Sequence, residues 1–273
     1  MLYLNQQPVT IQTFPDGTPK IEIPLNHYEN HTNIIHWKYA SDAEMIHLYY
    51  LVMHVRNQVP HAKLVLSMPY VPNARFDRVK DQSEVFTLKY FANFINQLQF
   101  DHVYTLDVHS NVSTALFHHI TDKAPTPYIK QVLQVLYQFH DKKDIVLFFP
   151  DEGAMKRYTH IANEVDIPYV FGMKNRDWKS GQILGLEIIN PNKLDLTNKN
   201  ILIIDDICSK GGTFYHSAKK LQDFSPKNIY LYVSHCEDTI QKGELLNTDL
   251  IQLIFTTNSL LTIKHEKIKT FNV

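Results

Sequence analysis

Cysteine is nearly absent: Cys208 and Cys236 are the only two in 273 residues. Two cysteines make no disulfide framework, and the scarcity points to a reducing compartment. No apolar run approaches the roughly 20 residues of a membrane span, and Met1-Leu2-Tyr3-Leu4-Asn5 lacks the character of a signal peptide. A cytoplasmic protein without a membrane partner is expected. A dominant charge is missing too. Lys and Arg number 27 against 28 Asp and Glu, a net charge of −1, so no basic field argues for nucleic acid. The fifteen histidines are mostly scattered, as at His27, His31, His36, His47, His54 and His61, without metal-ligand spacing. No low-complexity segment or long linker appears. What is present is 44% hydrophobic content, enough for a substantial core in a chain long enough for two domains. The bias toward Asn, Lys, Ile and Tyr over Gly and Ala carries no functional meaning.

Short apolar runs recur at 63–68, 102–106, 144–149, 200–204, 228–233 and 250–255, with helical patterns at 42–56, 87–97 and 128–139 between some of them. This alternation predicts α/β architecture, with parallel sheets covered by helices. Met68-Pro69 and Phe149-Pro150 end their strands alike, and Asp107 and Asp205 each close one with a carboxylate. Two α/β domains of related design follow, 1–139 and 140–273. Two hairpins are expected besides: 10–14 and 20–23 flank the turn Pro15-Asp16-Gly17-Thr18, and 169–174 and 182–188 flank 175–181.

One stretch carries the most chemistry. Ile201 to Ile204 form a buried-strand run, Asp205 and Asp206 sit where that strand would end, and Ser209-Lys210-Gly211-Gly212-Thr213 make a small polar loop. A helical pattern begins at His216. Helix-start N–H groups point at an anion, and the glycines allow close approach to it. The acidic pair suits hydroxyls or Mg²⁺. A loop offering both suits a sugar phosphate. Lys174 and Arg176, two apart on a predicted strand, share a face and can address one phosphate chain. Asp107 and His109 would likewise project together if their strand continues.

This loop resembles the phosphoribosyl pyrophosphate loop of type I phosphoribosyltransferases. Other blocks narrow the resemblance to the ribose-phosphate diphosphokinases, or phosphoribosyl pyrophosphate synthetases. They are Phe14-Pro15-Asp16-Gly17, Met68-Pro69-Tyr70 through Ala74-Arg75-Phe76-Asp77-Arg78, Phe86-Thr87-Leu88-Lys89, Thr105-Leu106-Asp107-Val108-His109-Ser110, Pro150-Asp151-Glu152-Gly153-Ala154-Met155-Lys156-Arg157 and Lys174-Asn175-Arg176. The blocks keep the family's order over roughly residues 14 to 260. The resemblance implies two doubly wound parallel-sheet domains of type I phosphoribosyltransferase-like design with added hairpins. It implies transfer of the β,γ-diphosphate of Mg-ATP to the anomeric hydroxyl of a ribose 5-phosphate-type acceptor, releasing AMP. By the same resemblance Lys174 and Arg176 are catalytic, and Phe14, Asp16, Arg75, Phe76, Asp77 and His109 bind ATP. Asp107, His109 and Asp151 hold Mg²⁺. Asp205 and Asp206 take the ribose hydroxyls or a second Mg²⁺, while Ser209, Lys210, Gly211, Gly212 and Thr213 hold the 5-phosphate. Phe14 and Asp16 reach into a neighbouring subunit's adenine pocket, which implies a homodimer or larger homo-oligomer.

The chain departs from the family pattern at four places. Thr18 replaces a glutamate, Phe76 a glutamine and Lys210 a threonine, and 79–85 lacks the usual Arg-x-Pro of the catalytic flap. Two alternatives therefore stand beside ribose 5-phosphate. ADP-ribose as acceptor, in NAD metabolism, would use Phe76 against a second base and Lys210 against a second phosphate. A catalytically silent regulatory homologue is the other, disfavoured by the retained Lys174 and Arg176.

Overall fold

The computed structural model describes residues 1–176, 183–191 and 193–273, with residues 174–176, 183 and 184 as backbone only. The chain forms two compact units, Met1–Ala124 and Pro125–Val273.

The first unit opens with β1 (Leu2–Leu4), β2 (Gln7–Pro8), β3 (Thr10–Thr13), β4 (Pro19–Glu22) and β5 (Thr32–Trp37). It continues through α1 (Glu44–Gln58), β6 (Lys63–Ser67), α2 (Thr87–Gln97), β7 (His102–Leu106), α3 (Asn111–Leu116) and β8 (Ile120–Lys123). Strands β5, β6, β7 and β8 are parallel neighbours in that order, and β1 pairs antiparallel with β5. Side chains alternate along β5 and β6: Asn33, Ile35, Trp37, Leu64 and Leu66 are buried, and the positions between them are not. One hydrophobic cluster lies on that buried face. Helix α2 feeds it Leu88, Phe91, Ala92 and Ile95, the three-and-four spacing of an amphipathic helix. Each such large side chain, fully buried, contributes about 1.5–3 kcal/mol.

The second unit runs α4 (Thr126–Leu136), β9 (Ile145–Phe149), α5 (Glu152–Val165), β10 (Tyr169–Arg176), β11 (Ile183–Ile189), β12 (Asn200–Cys208), α6 (Gly212–Leu221), β13 (Asn228–Cys236), β14 (Leu253–Thr257) and β15 (Ile268–Phe271). The sheet order is β11-β10-β9-β12-β13-β14-β15, parallel throughout except for β11 at the edge. Every residue of β9 is buried, and so are Asn200 to Ile204 of β12. Ile201 and Ile203 enter one cluster, Leu202 and Ile204 the other. Both faces are thus covered, which explains the unbroken apolar runs in the sequence.

Three boundaries differ from the sequence reading. A division at 139 would leave α4 in the first half, but its Ile129, Val132, Leu133 and Leu136 pack with Ile145, Leu147 and Phe149 of β9. Strand β12 does not stop at Ile204, because β13 pairs with it through Ile207↔His235 and Cys208↔Cys236. Helix α6 begins at Gly212, four residues before the expected His216. The edge strands β2, β8 and β15, and β1 and β5 inside the first sheet, are short or half-polar and form no clear apolar run. Cys208 and Cys236 are free, buried partners across β12 and β13. The neighbouring Cys236 and burial push the Cys208 thiol up, which makes it a poor nucleophile.

Candidate active site

Strand order in the second unit reverses between β9 and β12: β10 follows β9 on one side, and β13 to β15 follow β12 on the other. Open α/β sheets bind ligands beyond the carboxyl ends of strands at such a switch point. Here β9 accompanies β12 only as far as Ile203, while β12 and β13 run on together to Cys208 and Cys236. The extension carries Asp205 and the following loop past the paired part of β9.

A cavity of about 540 Å³ lies there, lined by Asp205, Ser209, Lys210, Gly212 and Thr213 among others. Gly211 starts α6 in the left-handed region, φ +80°, which non-glycine residues adopt only with strain. The first helical bond in this turn runs from the Tyr215 amide to the Gly211 carbonyl, 3.0 Å. The amides of Gly212, Thr213 and Phe214 precede it and have no carbonyl four residues back within the helix. Three N–H groups and the positive end of a helix dipole therefore face an anion-sized space.

The two aspartates of β12 divide their work, because successive strand residues face opposite sides. Asp205 lines the cavity. Asp206 is buried and paired with Arg157 of α5 at 2.9 Å, the two side chains 5% and 24% exposed. Asp151 is the N-cap of α5 and accepts the Ala154 amide at 3.0 Å. Burial, then the charge of Asp206 and that of Asp151, hold the Asp205 carboxyl well above the usual carboxylate range. Its raised folded pKa contributes stability that is full below the ordinary value of 3.8 and is lost as pH rises through the folded value. Asp205→Asn should therefore melt higher than the natural protein at neutral pH, the gap closing toward about pH 4, as thermal denaturation across a pH series would read. An equal gap at every pH would show that Asp205 ionises freely.

Two residues that sequence reasoning missed also line this cavity: Glu237 and Thr239, just past the end of β13. Their signal was available, since the strand following an anion loop in such a sheet ends beside it. The Glu237 amide donates to the Cys208 carbonyl at 2.8 Å. Behind the loop, a Cβ on Gly243 would stand 1.8 Å from the Lys210 carbonyl, and one on Gly211 would stand 2.2 Å from Leu245 Cδ1. The loop is thus backed closely by the segment after β13.

Lys174 and Arg176 lie on β10, where Lys174 is opposite Leu186 and Arg176 opposite Ile183. The register slips between Asn175 and Arg176 with the extra residue on β11, so positions 174 and 176 stay two apart on β10. Their side chains, and residues 177–182, lie outside the described residues. Gly172 lets β10 close on the end of β9: a Cβ there would meet the Pro150 carbonyl at 2.7 Å and Leu186 Cδ1 at 2.8 Å.

In the first unit, Asp107 does not continue β7. It turns with φ +46°, its amide donating to the Lys123 carbonyl at 3.0 Å, while Asp122 accepts the Val108 amide at 3.2 Å. The expectation that Asp107 and His109 project together from one strand therefore falls. Asp107 is buried and His109 half-buried. Asp107 and His109 belong to one unit and Asp151 to the other. Among the described residues, no three His, Cys, Asp or Glu side chains group to hold a metal ion.

Arg75 is exposed after the end of β6, with Phe76 and Asp77 half-buried. The Phe76 ring meets Phe86 edge-on at 6.5 Å, so part of its apolar surface is already engaged. In the β3–β4 hairpin, Phe14 is 52% exposed and Gly17 has φ +85°. Asp16 accepts the Thr18 hydroxyl at 2.7 Å and the Thr18 amide at 3.0 Å, which hold its carboxyl below the usual range. Thr18, which replaces an acid of the pattern, ties down the acid that remains.

Residues 126–254 match the phosphoribosyl transferase domain family. The ribose-phosphate pyrophosphokinase of Mycoplasma genitalium is 31% identical over 216 residues, covering 76% of this chain and 61% of that one. The ribose-phosphate pyrophosphokinase of Saccharolobus solfataricus is 25% identical, covering 81% of this chain and 74% of that one. The phosphoribosylpyrophosphate synthetase of Mycobacterium smegmatis has the same fold, with a TM-score of 0.75 over 97% of this chain and 86% of that one at 15% identity. Together these likenesses support a member of the ribose-phosphate pyrophosphokinase family. It spans under two thirds of the length of its Mycoplasma relative. As in the family's Pro-Asp-x-Gly-Ala-x-x-Arg pattern, Asp151 and Arg157 are both present, and here they cap α5 and neutralise Asp206. The 79–85 segment, which departs from the family's flap pattern, is folded on itself: Asp81 accepts the Ser83 amide at 2.8 Å, and Glu84 accepts the Lys80 amide at 2.8 Å. No helix among the described residues is long and apolar enough to cross a membrane.

Proposed function

We propose that the chain transfers the β,γ-diphosphate of ATP to the anomeric hydroxyl of ribose 5-phosphate, releasing phosphoribosyl pyrophosphate and AMP. The observation that carries this reading is the cavity at the carboxyl end of β12, where three helix-start amides and a carboxylate, Asp205, line one space. A 5-phosphate suits the amides of 209–213, and ribose hydroxyls suit Asp205 as donors to an acceptor-only group. Asp206 acts through Arg157, fixing the end of β12. Diphosphoryl transfer needs in-line attack with cations on the transferring group; Lys174 and Arg176 on β10 take that role. Arg75, Phe76, Asp77 and His109 serve the nucleotide. Phe14 and Asp16, on an exposed hairpin, fit stacking and amino-group contacts with the adenine of a second copy in at least a homodimer.

The carboxylates fit a hard cation. Mg²⁺ prefers oxygen ligands; burial and then the charges of Asp206 and Asp151 raise Asp205, and a cation would relieve the repulsion. Within the second unit Asp151 is the proposed contact for Mg²⁺-ATP, near enough to Asp205 for its charge to be felt there, with Asp205 toward the acceptor. Bound there, the ion would supply charge neutralisation for the phosphates. Phe76, already packed on Phe86, gives less support to ADP-ribose as acceptor than its sequence position suggested.

Incubation with Mg-ATP and ribose 5-phosphate should release AMP in step with acceptor consumption. Stoichiometric ADP without AMP would show a monophosphate kinase instead, and no turnover with any ribose phosphate would return the silent homologue.

A further inference from the structure

The cavity at the anion loop has a second wall, contributed by Glu237 and Thr239. The Thr239 hydroxyl donates to Glu237 Oε2 at 2.9 Å, and the Glu237 backbone is tied to Cys208 immediately before the loop. The carboxylate is therefore placed and only half-exposed. The wall has little room to retreat from the loop, because Gly243 lies against the Lys210 carbonyl and Leu245 against Gly211.

We infer that Glu237, positioned by Thr239, is a specificity-determining residue that restricts the loop to terminal phosphate monoesters. It turns away acceptors whose phosphate continues into a second phosphate. This deepens the proposed function and rests on its reading of 209–213 as the acceptor-phosphate loop. A monoester places its charged oxygens on the amides of the loop, and its one ester link leads back to the ribose at Asp205. A diphosphate ester has a further link, and its second phosphate must find room in the cavity that Lys210 and Glu237 both line. Lys210 is exposed on a flexible stem and can serve either ligand. Glu237 is held, and two like charges a few ångströms apart at a partly screened site disfavour binding about tenfold. The acid on this wall thus selects against the class of acceptor that Lys210 alone would admit.

The test compares the natural chain with Glu237→Gln and Thr239→Val, using ribose 5-phosphate and ADP-ribose as probes. Calorimetric binding without ATP is measured alongside AMP release with Mg-ATP. Glu237→Gln should improve ADP-ribose relative to ribose 5-phosphate about tenfold in Kd, and in kcat/KM where turnover occurs. Thr239→Val, which frees the carboxylate without removing it, should move the ratio the same way by less. A ratio within about twofold of the natural one in both variants overturns the inference, including the case where ADP-ribose binds elsewhere and is blind to Glu237. Absence of AMP from the natural chain with every acceptor would instead sink the proposed function, while the binding ratios would still decide the role of Glu237.

Discussion

Lys174→Ala is expected to lower kcat for AMP release by about 10²–10⁴-fold, the loss seen when a preorganised charge facing the transition state is removed. ATP affinity should change far less, because in the proposed mechanism several other groups hold the nucleotide and Lys174 acts where charge develops during transfer. The residue lies on β10, the strand that Gly172 brings against Pro150 at the end of β9. Single-turnover AMP release and an ATP-binding titration on the same preparation would separate the two effects. Near-normal turnover would make the β10–β11 hairpin a structural edge and end the mechanism proposed for it.

The second large effect concerns stability. Arg157→Met should cost about 3 kcal/mol, since removing one partner of a buried ion pair strands the other charge. Asp206 is the group that loses its counter-ion, 5% exposed in the protein. Arg157 itself keeps some solvent contact, which places the loss at the lower end of that range. Urea denaturation at neutral pH would read it. The double variant Arg157→Met, Asp206→Leu should recover most of the stability, because neither half of the pair is then left buried without its partner, but not acceptor binding if the end of β12 depends on the pair. A single variant within about 0.5 kcal/mol of the natural protein would show the pair to be ornamental.

Much of this site could be read from residues alone, for physical reasons. Strands buried on both faces, such as β9 and the start of β12, leave continuous apolar runs. The Gly211-Gly212 loop announces an anion because few backbones need that freedom. The limits were just as physical. Ile207 and Cys208 look like loop in sequence, since alternation with Asp206 breaks the apolar run; only pairing with His235 and Cys236 extends the strand. Asp107 suggested a continuing strand, yet the backbone turns there into the left-handed region. Glu237 belonged to no recognised block and became visible only once β13 was seen beside β12. The assignment of α4 to the second unit depends on which sheet its apolar face meets, a tertiary fact that periodicity does not contain.

The switch-point topology also dictates an order of assembly. Strand β9 is made early in the second unit, but its neighbour β12 begins only at Asn200, after the β10–β11 hairpin has been synthesised. A chain growing from its N-terminus can pair β9 with β10 while the other edge of β9 waits open. Contacts of such long sequence separation form slowly, since loop closure precedes their reward. Docking of β12 on β9 is therefore the step that joins the two halves of the sheet and brings the 209–213 loop into place, before β13 to β15 are added. An immature second unit exposes the apolar edge of β9 until that moment, and pulse-labelled hydrogen exchange should find the β9 amides that face β12 protected no earlier than those of β12 itself.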